Sequence, residues 1–354
     1  MKEKIEQIFL WSLLFIPISY FLAFFTEDKI LLFIASTLAI IPLARIIGFA
    51  TKELVLQTNP TWGGLINATL GNSIELIIAV LALNKGLIQI VKASIIGSII
   101  GNILLLIGLS LLFGGLKYKE QKFNKYSIGV SSTMLIICVV GLAIPTVFSM
   151  TADPSSETIN LLDDAVAIVL AIIYISGIIF AFITHKHIFD PSDEIKASME
   201  KPSFTKKDSI FVLFVSVILV AIESEFLVGT LETVANNAGL TQTFIGVVII
   251  AIVTNIAEKA SAIHFARSNK IDISLEIGLN SAIQIALFVV PLLVLISNMM
   301  GYGFTLVFSM FEIISVVLAV MIVNHLSADG TCNWLEGAQL ISVYMIIAIA
   351  FYFI

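Results

Sequence analysis

Eleven apolar stretches run through this 354-residue chain, each close to the roughly 20 residues that an α-helix needs to cross a bilayer. They cover residues 8–25, 30–49, 62–83, 91–114, 126–149, 161–184, 209–229, 242–265, 274–298, 303–324 and 336–354. The composition agrees with this pattern, because 58% of the residues are hydrophobic and only 12% are charged. We therefore predict an all-α polytopic membrane protein with 11 transmembrane helices.

Lysine and arginine residues are divided unevenly between the loops. If the spans alternate in direction, one side of the membrane holds 15 of the 19 cationic residues and the other side holds Lys29, Lys85 and Lys92, while Lys259 falls within a span. Because cytoplasmic loops carry the excess of positive charge, we expect a cytoplasmic N-terminus and an extracytoplasmic C-terminus. Short loops and the lack of a targeting peptide favour a cell (plasma) membrane. No small-residue cleavage site follows the first apolar stretch, so we interpret it as an uncleaved span.

Two short motifs place an amide and a carboxylate inside these apolar stretches. Asn72 precedes Glu75, and Asn255 precedes Glu258, by three residues each. In a continuous helix such residues share one face. A carboxylate near mid-membrane costs at least ~2.5 kcal/mol and usually faces a protein-lined or water-filled interior. The motifs therefore predict an ion or substrate pathway.

The two motifs belong to an internal repeat. Glu75 and Glu258 are 183 residues apart, and at the same offset Ser98 matches Ser281 without a gap. The glutamates fall on the third and eighth spans, so the second copy runs in the opposite direction. We predict an N-terminal helix, a first five-helix repeat, a cytoplasmic linker and a second five-helix repeat, over residues 1–28, 29–184, 185–208 and 209–354. Inverted repeats of this kind are typical of secondary transporters.

The polar residues of the repeat form a predicted set of metal ligands that offers oxygen donors alone. The set comprises Glu75, Glu258, Asn72, Asn255, Ser98, Ser281, Asn102 and Gln284. Oxygen ligands with two carboxylates suit a hard divalent cation such as calcium. Without the cation, two nearby carboxylates in a poorly solvated cavity bind protons more strongly. This exclusive occupancy is what an antiporter needs, and we expect neither a cofactor nor an enzyme activity.

The same residues carry a family resemblance. Residues 67–77 and Gly97-Ser98 with Asn102, together with Asn255-Ile256-Ala257-Glu258 and residues 280–288, resemble the two signature regions of calcium/proton exchangers. The resemblance covers nearly the whole chain and implies the cation/calcium antiporter fold. Sodium/calcium exchangers usually carry Gly-Thr-Ser-x-Pro-Glu, whereas both motifs here have Asn three residues before Glu and no Pro. The resemblance therefore favours proton over sodium coupling.

The second motif departs from the family pattern at two positions. Lys259 stands where the family commonly has His, and Thr254 stands where it usually has Gly. A charged Lys259 would lower the proton affinity of Glu258 unless its side chain points away. The lack of a nearby Pro argues against a broken helix here, while Gly63, Gly64 and Gly71 favour flexibility in the first motif.

Several other charged or reactive residues have two interpretations. A first group of acids lies near the span ends, either as cation funnels at the two mouths or as solvated helix ends: Glu53, Glu223, Glu225 and Glu232. Glu312 lies within the tenth span, either in a proton relay or in a hydrogen bond between helices. Cys138 and Cys332 have no metal-ligand spacing and are expected to be inert.

The function predicted from the sequence is a calcium/proton antiporter that exports calcium by alternating access. The alternative is an antiporter of the same fold with sodium/calcium coupling, or one that exchanges protons for another cation. A channel or membrane enzyme comes third, since selectivity-filter repeats, nucleotide loops and hydrolase motifs are missing from the sequence. The expected partners are calcium ions, protons and the lipid bilayer; a homo-oligomer is left open. The net charge of −6 and the lack of a sizeable soluble domain exclude nucleic acid.

Overall fold

The computed structural model describes residues 11–58, 63, 66–67, 69–152, 154–185 and 202–354. In chain order its longer helices are α1 (Phe15–Phe25), α2 (Lys29–Leu56), α3 (Ser73–Asn84), α4 (Ile88–Gly115), α5 (Lys125–Ala152), α6 (Ser156–Thr184), α7 (Lys206–Ala238), α8 (Gln242–Thr254), α9 (Ile256–Ala266), α10 (Ile271–Met300), α11 (Met310–Leu326) and α12 (Trp334–Phe353). Among the described residues, seven helices are long and apolar enough to cross a membrane, and the bent pair α8 and α9 adds an eighth candidate. The helical membrane class is thereby confirmed, while the count of 11 spans stays a prediction.

Contacts divide the chain into two compact units. The first unit comprises Met1–Lys85 and Ile178–Gln242, and the second comprises Gly86–Gly177 and Thr243–Ile354. Each unit therefore takes helices from both predicted repeats. The predicted domain boundaries follow internal sequence similarity, which is a different property from contact, so they stay a prediction. Residues 186–201 of the predicted linker lie outside the described residues.

In the first unit, α2 and α7 pack along each other, α1 packs on α2, and α3 packs on α7. The Glu53 carboxylate at the end of α2 accepts hydrogen bonds from the N–H groups of Ser203 (2.6 Å) and Phe204 (2.9 Å), just before α7. The Ser19 hydroxyl of α1 donates to Glu223 of α7 at 2.7 Å. Polar contacts between helices thus supplement the apolar packing, because a buried carboxylate needs donors to offset its desolvation.

In the second unit, α4 crosses α8 with the two backbones in direct contact. A Cβ atom on Gly97 would overlap the backbone of Val247, and one on Gly246 would overlap Ala93. Only glycine allows so close an approach, because any side chain would separate the helices. The crossing fixes α4, which carries Ser98 next to Gly97, against α8.

The structure corrects the start of the tenth predicted span. Helix α11 begins at Met310 rather than at residue 303, and residues 302–309, here called the strap, lack helical structure. Gly301 and Gly303 have φ angles of +72° and +73°, which end α10 and turn the chain. Hydropathy does not detect this change because the strap is apolar, and its Phe304, Leu306 and Phe308 side chains are buried.

Side chains of the second unit bind the strap backbone along its length. The Lys92 ammonium of α4 donates to the Thr305 hydroxyl (3.0 Å) and the Val307 carbonyl (2.5 Å). Asp163 of α6 accepts from the Leu306 N–H at 2.9 Å. Further bonds reach the strap from Ser297, Thr146 and Glu312. Irregular backbone is tolerated at membrane depth where protein groups satisfy it in this way.

A short antiparallel pair joins two loops of the second unit. Strand β1 (Gln121–Lys122) pairs with β2 (Thr331–Cys332). The Gln121 side chain also donates to the Ala266 carbonyl at 2.9 Å. Burial, followed by nearby acidic groups, raises the pKa of the Cys332 thiol to about 12, which disfavours the reactive thiolate at neutral pH.

Helix starts reproduce the offset found in the sequence. Helices α3 and α9 begin at Ser73 and Ile256, and α4 and α10 begin at Ile88 and Ile271, so that 183 residues separate the members of each pair. A π-helical segment interrupts both α4 and α10, at Gly101–Leu106 in α4 and at Ile285–Val289 in α10. The repeat therefore extends to local structure, while its inverted direction stays a prediction.

Candidate cation site

Each predicted motif lies at an interruption between helical segments. Asn72 (φ −108°, ψ 25°) precedes the first residue of α3, and Asn255 (φ −98°, ψ 14°) precedes the first residue of α9. Glu75 and Glu258 are then the third residues of these helices. The helix is therefore not continuous through either motif, while the shared face of each Asn–Glu pair stays a prediction. The amide lies in the break, and the carboxylate lies in the first turn that follows.

The second break forms without glycine or proline. Helices α8 and α9 meet there at 57°, which corrects the expectation of an unbroken helix. Asn tolerates such backbone angles because its short side chain bonds to nearby groups. Here Asn255 Nδ2 lies 2.9 Å from Thr254 Oγ1 and 3.2 Å from the Ala251 carbonyl oxygen. Local side-chain bonds thus replace the usual breaker residues.

Four predicted ligands meet in one hydrogen-bond network of the second unit. Asn102 Nδ2 donates to Asn255 Oδ1 at 3.1 Å and to Ser281 Oγ at 2.8 Å. Asn255 Nδ2 in turn lies 3.3 Å from Ser98 Oγ. All four side chains are buried. Because amides and hydroxyls both donate and accept, these groups can exchange partners around an ion without exposing a charge.

One π-helical segment contains a residue of this network, and a second begins next to another predicted ligand. Asn102 is the second residue of the π segment in α4, and Gln284 directly precedes the π segment in α10. Such segments are common at functional sites, where the widened turn redirects side chains. The Asn102 Oδ1 atom is buried and has no hydrogen-bond partner in the described part of the chain. It therefore remains available as an acceptor within the network.

The two glutamates have matching local environments. Glu75 and Glu258 are half-buried, and each lies in the first turn of its helix, where the backbone N–H groups and the helix dipole favour negative charge. Among the described residues, no group of three or more His, Cys, Asp or Glu side chains is placed to hold a metal ion. A cation site built on these residues therefore depends on neutral oxygens as well as carboxylates.

The two units share the predicted ligands unequally. Six ligands belong to the second unit: Ser98, Asn102, Asn255, Glu258, Ser281 and Gln284. Asn72 and Glu75 belong to the first unit, where Asn72 is buried at the equivalent break. The use of both carboxylates for one ion stays a prediction.

Sequence reasoning missed the residues that support the second break. Thr254 entered only as a departure from the family pattern, yet its hydroxyl contacts the Asn255 amide. The buried Lys259 side chain places Nζ 3.5 Å from the Ala251 carbonyl oxygen. A hydroxyl directly before a motif Asn is the signal that could have identified Thr254. The contact between this hydroxyl and the Asn255 amide depends on a helix break that the sequence did not predict.

Other predicted acids have defined partners. Glu225 forms an ion pair with Lys85 at 2.6 Å. Glu223 is completely buried against Ser19, so in this structure it lies neither in an open mouth nor in solvent. Glu312 accepts from the Ser309 N–H in a capping box, so the hydrogen bond that it forms stabilises the start of its own helix.

Comparisons with known proteins find relatives over nearly the whole chain. The family model described as "Sodium/calcium exchanger protein" matches residues 29–183 and 208–353. A Ca(2+)/H(+) antiporter of Aphanothece halophytica is 41% identical over 98% of this chain and 97% of its own length, and ChaA of Bacillus subtilis, also named a Ca(2+)/H(+) antiporter, is 41% identical over 95% and 96%. The solved structure of native YfkE matches with a TM-score of 0.85 and 38% identity over 98% of this chain and all of its own. The H+/Ca2+ exchanger CAX, at 16% identity and a TM-score of 0.70 over 100% of this chain and 93% of its own, shares the fold.

Proposed function

The chain belongs to the sodium/calcium exchanger protein family, among its calcium/proton exchangers, and from this premise we propose that it exports calcium from the cytoplasm in exchange for protons by alternating access. Its relatives are named as antiporters and exchangers, which favours this class over the channel and enzyme alternatives. The transported calcium ion is a substrate, and the proposed mechanism uses no resident cofactor.

The observation that carries the proposal is the neutral oxygen network beside the second break. Asn255 anchors this network, and Glu258 follows it by three residues in the first turn of α9. A hard cation that replaces its hydration shell needs this combination of neutral oxygens and negative charge. We assign the calcium ligands to Glu75, Glu258, Asn72, Asn255, Ser98 and Ser281, with Asn102 and Gln284 in support.

Coupling follows from the chemistry of the two carboxylates. Glu75 and Glu258 bind either calcium or protons, because a protonated carboxyl group loses most of its attraction for a divalent cation. When calcium leaves, desolvation and the repulsion between negative charges favour protonation. An empty site with two charged carboxylates is costly at membrane depth, whereas the calcium-bound and the protonated forms cost less free energy. The exchange of calcium for protons therefore needs no second site.

The proposed orientation rests on the distribution of cationic residues. The loops assigned to the cytoplasm hold 15 of the 19 Lys and Arg residues, which places the N-terminus inside and the C-terminus outside. In a cell membrane, proton entry would then drive calcium export. Sodium/calcium exchange is the alternative, because the matching family model is named for that reaction.

Uptake of radioactive calcium into inside-out vesicles with an imposed proton gradient tests the proposal. We expect wild-type protein to accumulate calcium, a protonophore to abolish the uptake, and both Glu75→Gln and Glu258→Gln to reduce it at least ~100-fold, because each removes a charged ligand. Glu157→Gln is the matched control, since Glu157 is an exposed carboxylate at the start of α6, and it should transport normally.

Two results would contradict the proposal in different ways. Uptake that follows a sodium gradient and ignores the proton gradient would reject proton coupling and keep the fold. Full activity in Glu75→Gln or Glu258→Gln would reject that residue as a ligand and as the coupling group.

A further inference from the structure

The break before α9 changes the partner of one backbone carbonyl. In a continuous helix the Ala251 carbonyl would accept from the N–H of Asn255, four residues later. That N–H is directed instead to the Val253 carbonyl. Two side-chain donors lie at the Ala251 oxygen, namely Asn255 Nδ2 at 3.2 Å and Lys259 Nζ at 3.5 Å. The Lys259 ammonium can therefore serve this carbonyl when the Asn255 amide does not.

The Asn255 amide has more acceptors than hydrogens. Its NH2 group carries two hydrogens, but three acceptor atoms lie within hydrogen-bond distance. The shortest contact, 2.9 Å, is to Thr254 Oγ1, and the contacts to Ala251 and Ser98 measure 3.2 and 3.3 Å. The Thr254 hydroxyl is thus the nearest acceptor to Nδ2, and the Ala251 carbonyl, which can only accept, marks Nδ2 as the nitrogen end of the amide.

From this arrangement we infer that Thr254 is a positioning residue for cation binding. Its hydroxyl accepts from Asn255 Nδ2 and thereby turns Oδ1 toward Asn102, where the other neutral oxygens of the network lie. Lys259 supports the same orientation, because its ammonium serves the Ala251 carbonyl and leaves the amide free to bond to Thr254. Thr254 acts through Asn255 and makes no contact with the ion in this scheme.

The chain contains its own comparison for this arrangement. At the 183-residue offset, Gly71 stands in place of Thr254 and Leu76 in place of Lys259. The first motif therefore has neither the hydroxyl acceptor nor the ammonium donor. The two breaks therefore differ at these two positions, and the second is the one where α8 and α9 meet without glycine or proline.

The inference rests on the proposed function, because Asn255 must be a cation ligand for its orientation to matter. The test compares proton-driven calcium uptake by the full-length wild-type protein and by variants at the second break. Thr254→Val keeps the shape and removes the acceptor, Thr254→Ser keeps the hydroxyl, Thr254→Gly copies the first motif, and Lys259→Met removes the ammonium. The calcium concentration at half-maximal uptake and the maximal rate per folded molecule are measured separately, with the thermal unfolding midpoint of each variant.

We expect Thr254→Val and Thr254→Gly to raise the half-saturating calcium concentration about three- to tenfold, as for the loss of one buried hydrogen bond, and to change the maximal rate less than about twofold. Thr254→Ser should restore the wild-type value. Lys259→Met should raise the half-saturating calcium concentration less. In a protein that already carries Asn255→Ser, adding Thr254→Val should not change the calcium affinity further.

Two failures remain distinguishable. If Glu258→Gln is inactive while Thr254→Val has the wild-type half-saturating concentration, the inference is overturned and the proposed site stands. Thr254→Val could instead lower the unfolding midpoint and the maximal rate while the half-saturating calcium concentration stays unchanged. That result would show a purely structural role for Thr254 and would also overturn the inference. If Glu258→Gln keeps full uptake, the proposed function itself fails.

Discussion

The second unit contains two buried polar assemblies that are built on opposite principles. The ligand network joins neutral side chains to each other through Asn102, Asn255 and two serines. The strap assembly instead uses charged side chains, Lys92 and Asp163, to hold backbone groups. Neutral groups can reverse donor and acceptor roles, whereas an ammonium or a carboxylate cannot. In the strap assembly, charged side chains hold fixed backbone groups, whereas in the ligand network neutral side chains join each other through contacts whose direction can reverse.

Removal of the strap ammonium should have the largest effect on stability. Lys92 is buried, and the carboxyl groups of Glu312 and Asp163 act on it electrostatically. Lys92→Met removes the positive charge near these acids and leaves two strap acceptors without their ammonium donor, which should destabilise the protein by about 3 kcal/mol. Thermal unfolding in detergent measures the loss, and Lys29→Met, at an exposed position, is the control. Unchanged stability would show that the strap does not depend on charge.

The corresponding change in the neutral network should affect ion affinity more than stability. Asn102→Ala removes the donor to both Asn255 and Ser281. With about 1 kcal/mol for each bond, we expect the half-saturating calcium concentration to rise roughly 10- to 30-fold. The unfolding midpoint should fall less than in Lys92→Met. Equal effects of both variants on affinity and on stability would remove the distinction between the assemblies.

The smallest effect is expected where charges are accessible to solvent. Lys85 and Glu225 form an ion pair of the first unit at 2.6 Å, with side chains 32% and 48% exposed. Glu225→Gln should change stability by less than about 1 kcal/mol, and the difference should shrink further in high salt, because water and ions screen exposed pairs. Unfolding midpoints at low and high ionic strength provide the check. A large loss of stability that does not depend on salt would show that this pair behaves like the buried charges of the strap assembly.

The sequence predicted those parts of the site that depend on rare residue types. Asn, Ser and Glu at matched positions within apolar spans identified the network residues, because polar groups at membrane depth are costly and seldom accidental. Thr254 could not be assigned in this way, since its contact arises only after the helix breaks. The non-helical structure of the strap was missed for a different reason. Residues 303–308 are as apolar as a helix core, and only the φ angles of Gly301 and Gly303 set them apart.

We expect the glycine crossing of α4 and α8 to influence which cation the proposed site prefers. Where the backbones of Gly97 and Val247 meet directly, no side-chain rotamers lie between them to soften the contact. Ser98 follows Gly97, and Asn255 lies eight residues beyond Val247, so stiffness at the crossing passes into the spacing of two proposed ligands. Calcium and magnesium differ by a few tenths of an ångström in their preferred ligand distances, and cavity size and flexibility decide between them. We therefore expect the close contact at Gly97 and Gly246 to limit the range of cation sizes that Ser98 and Asn255 can accommodate together.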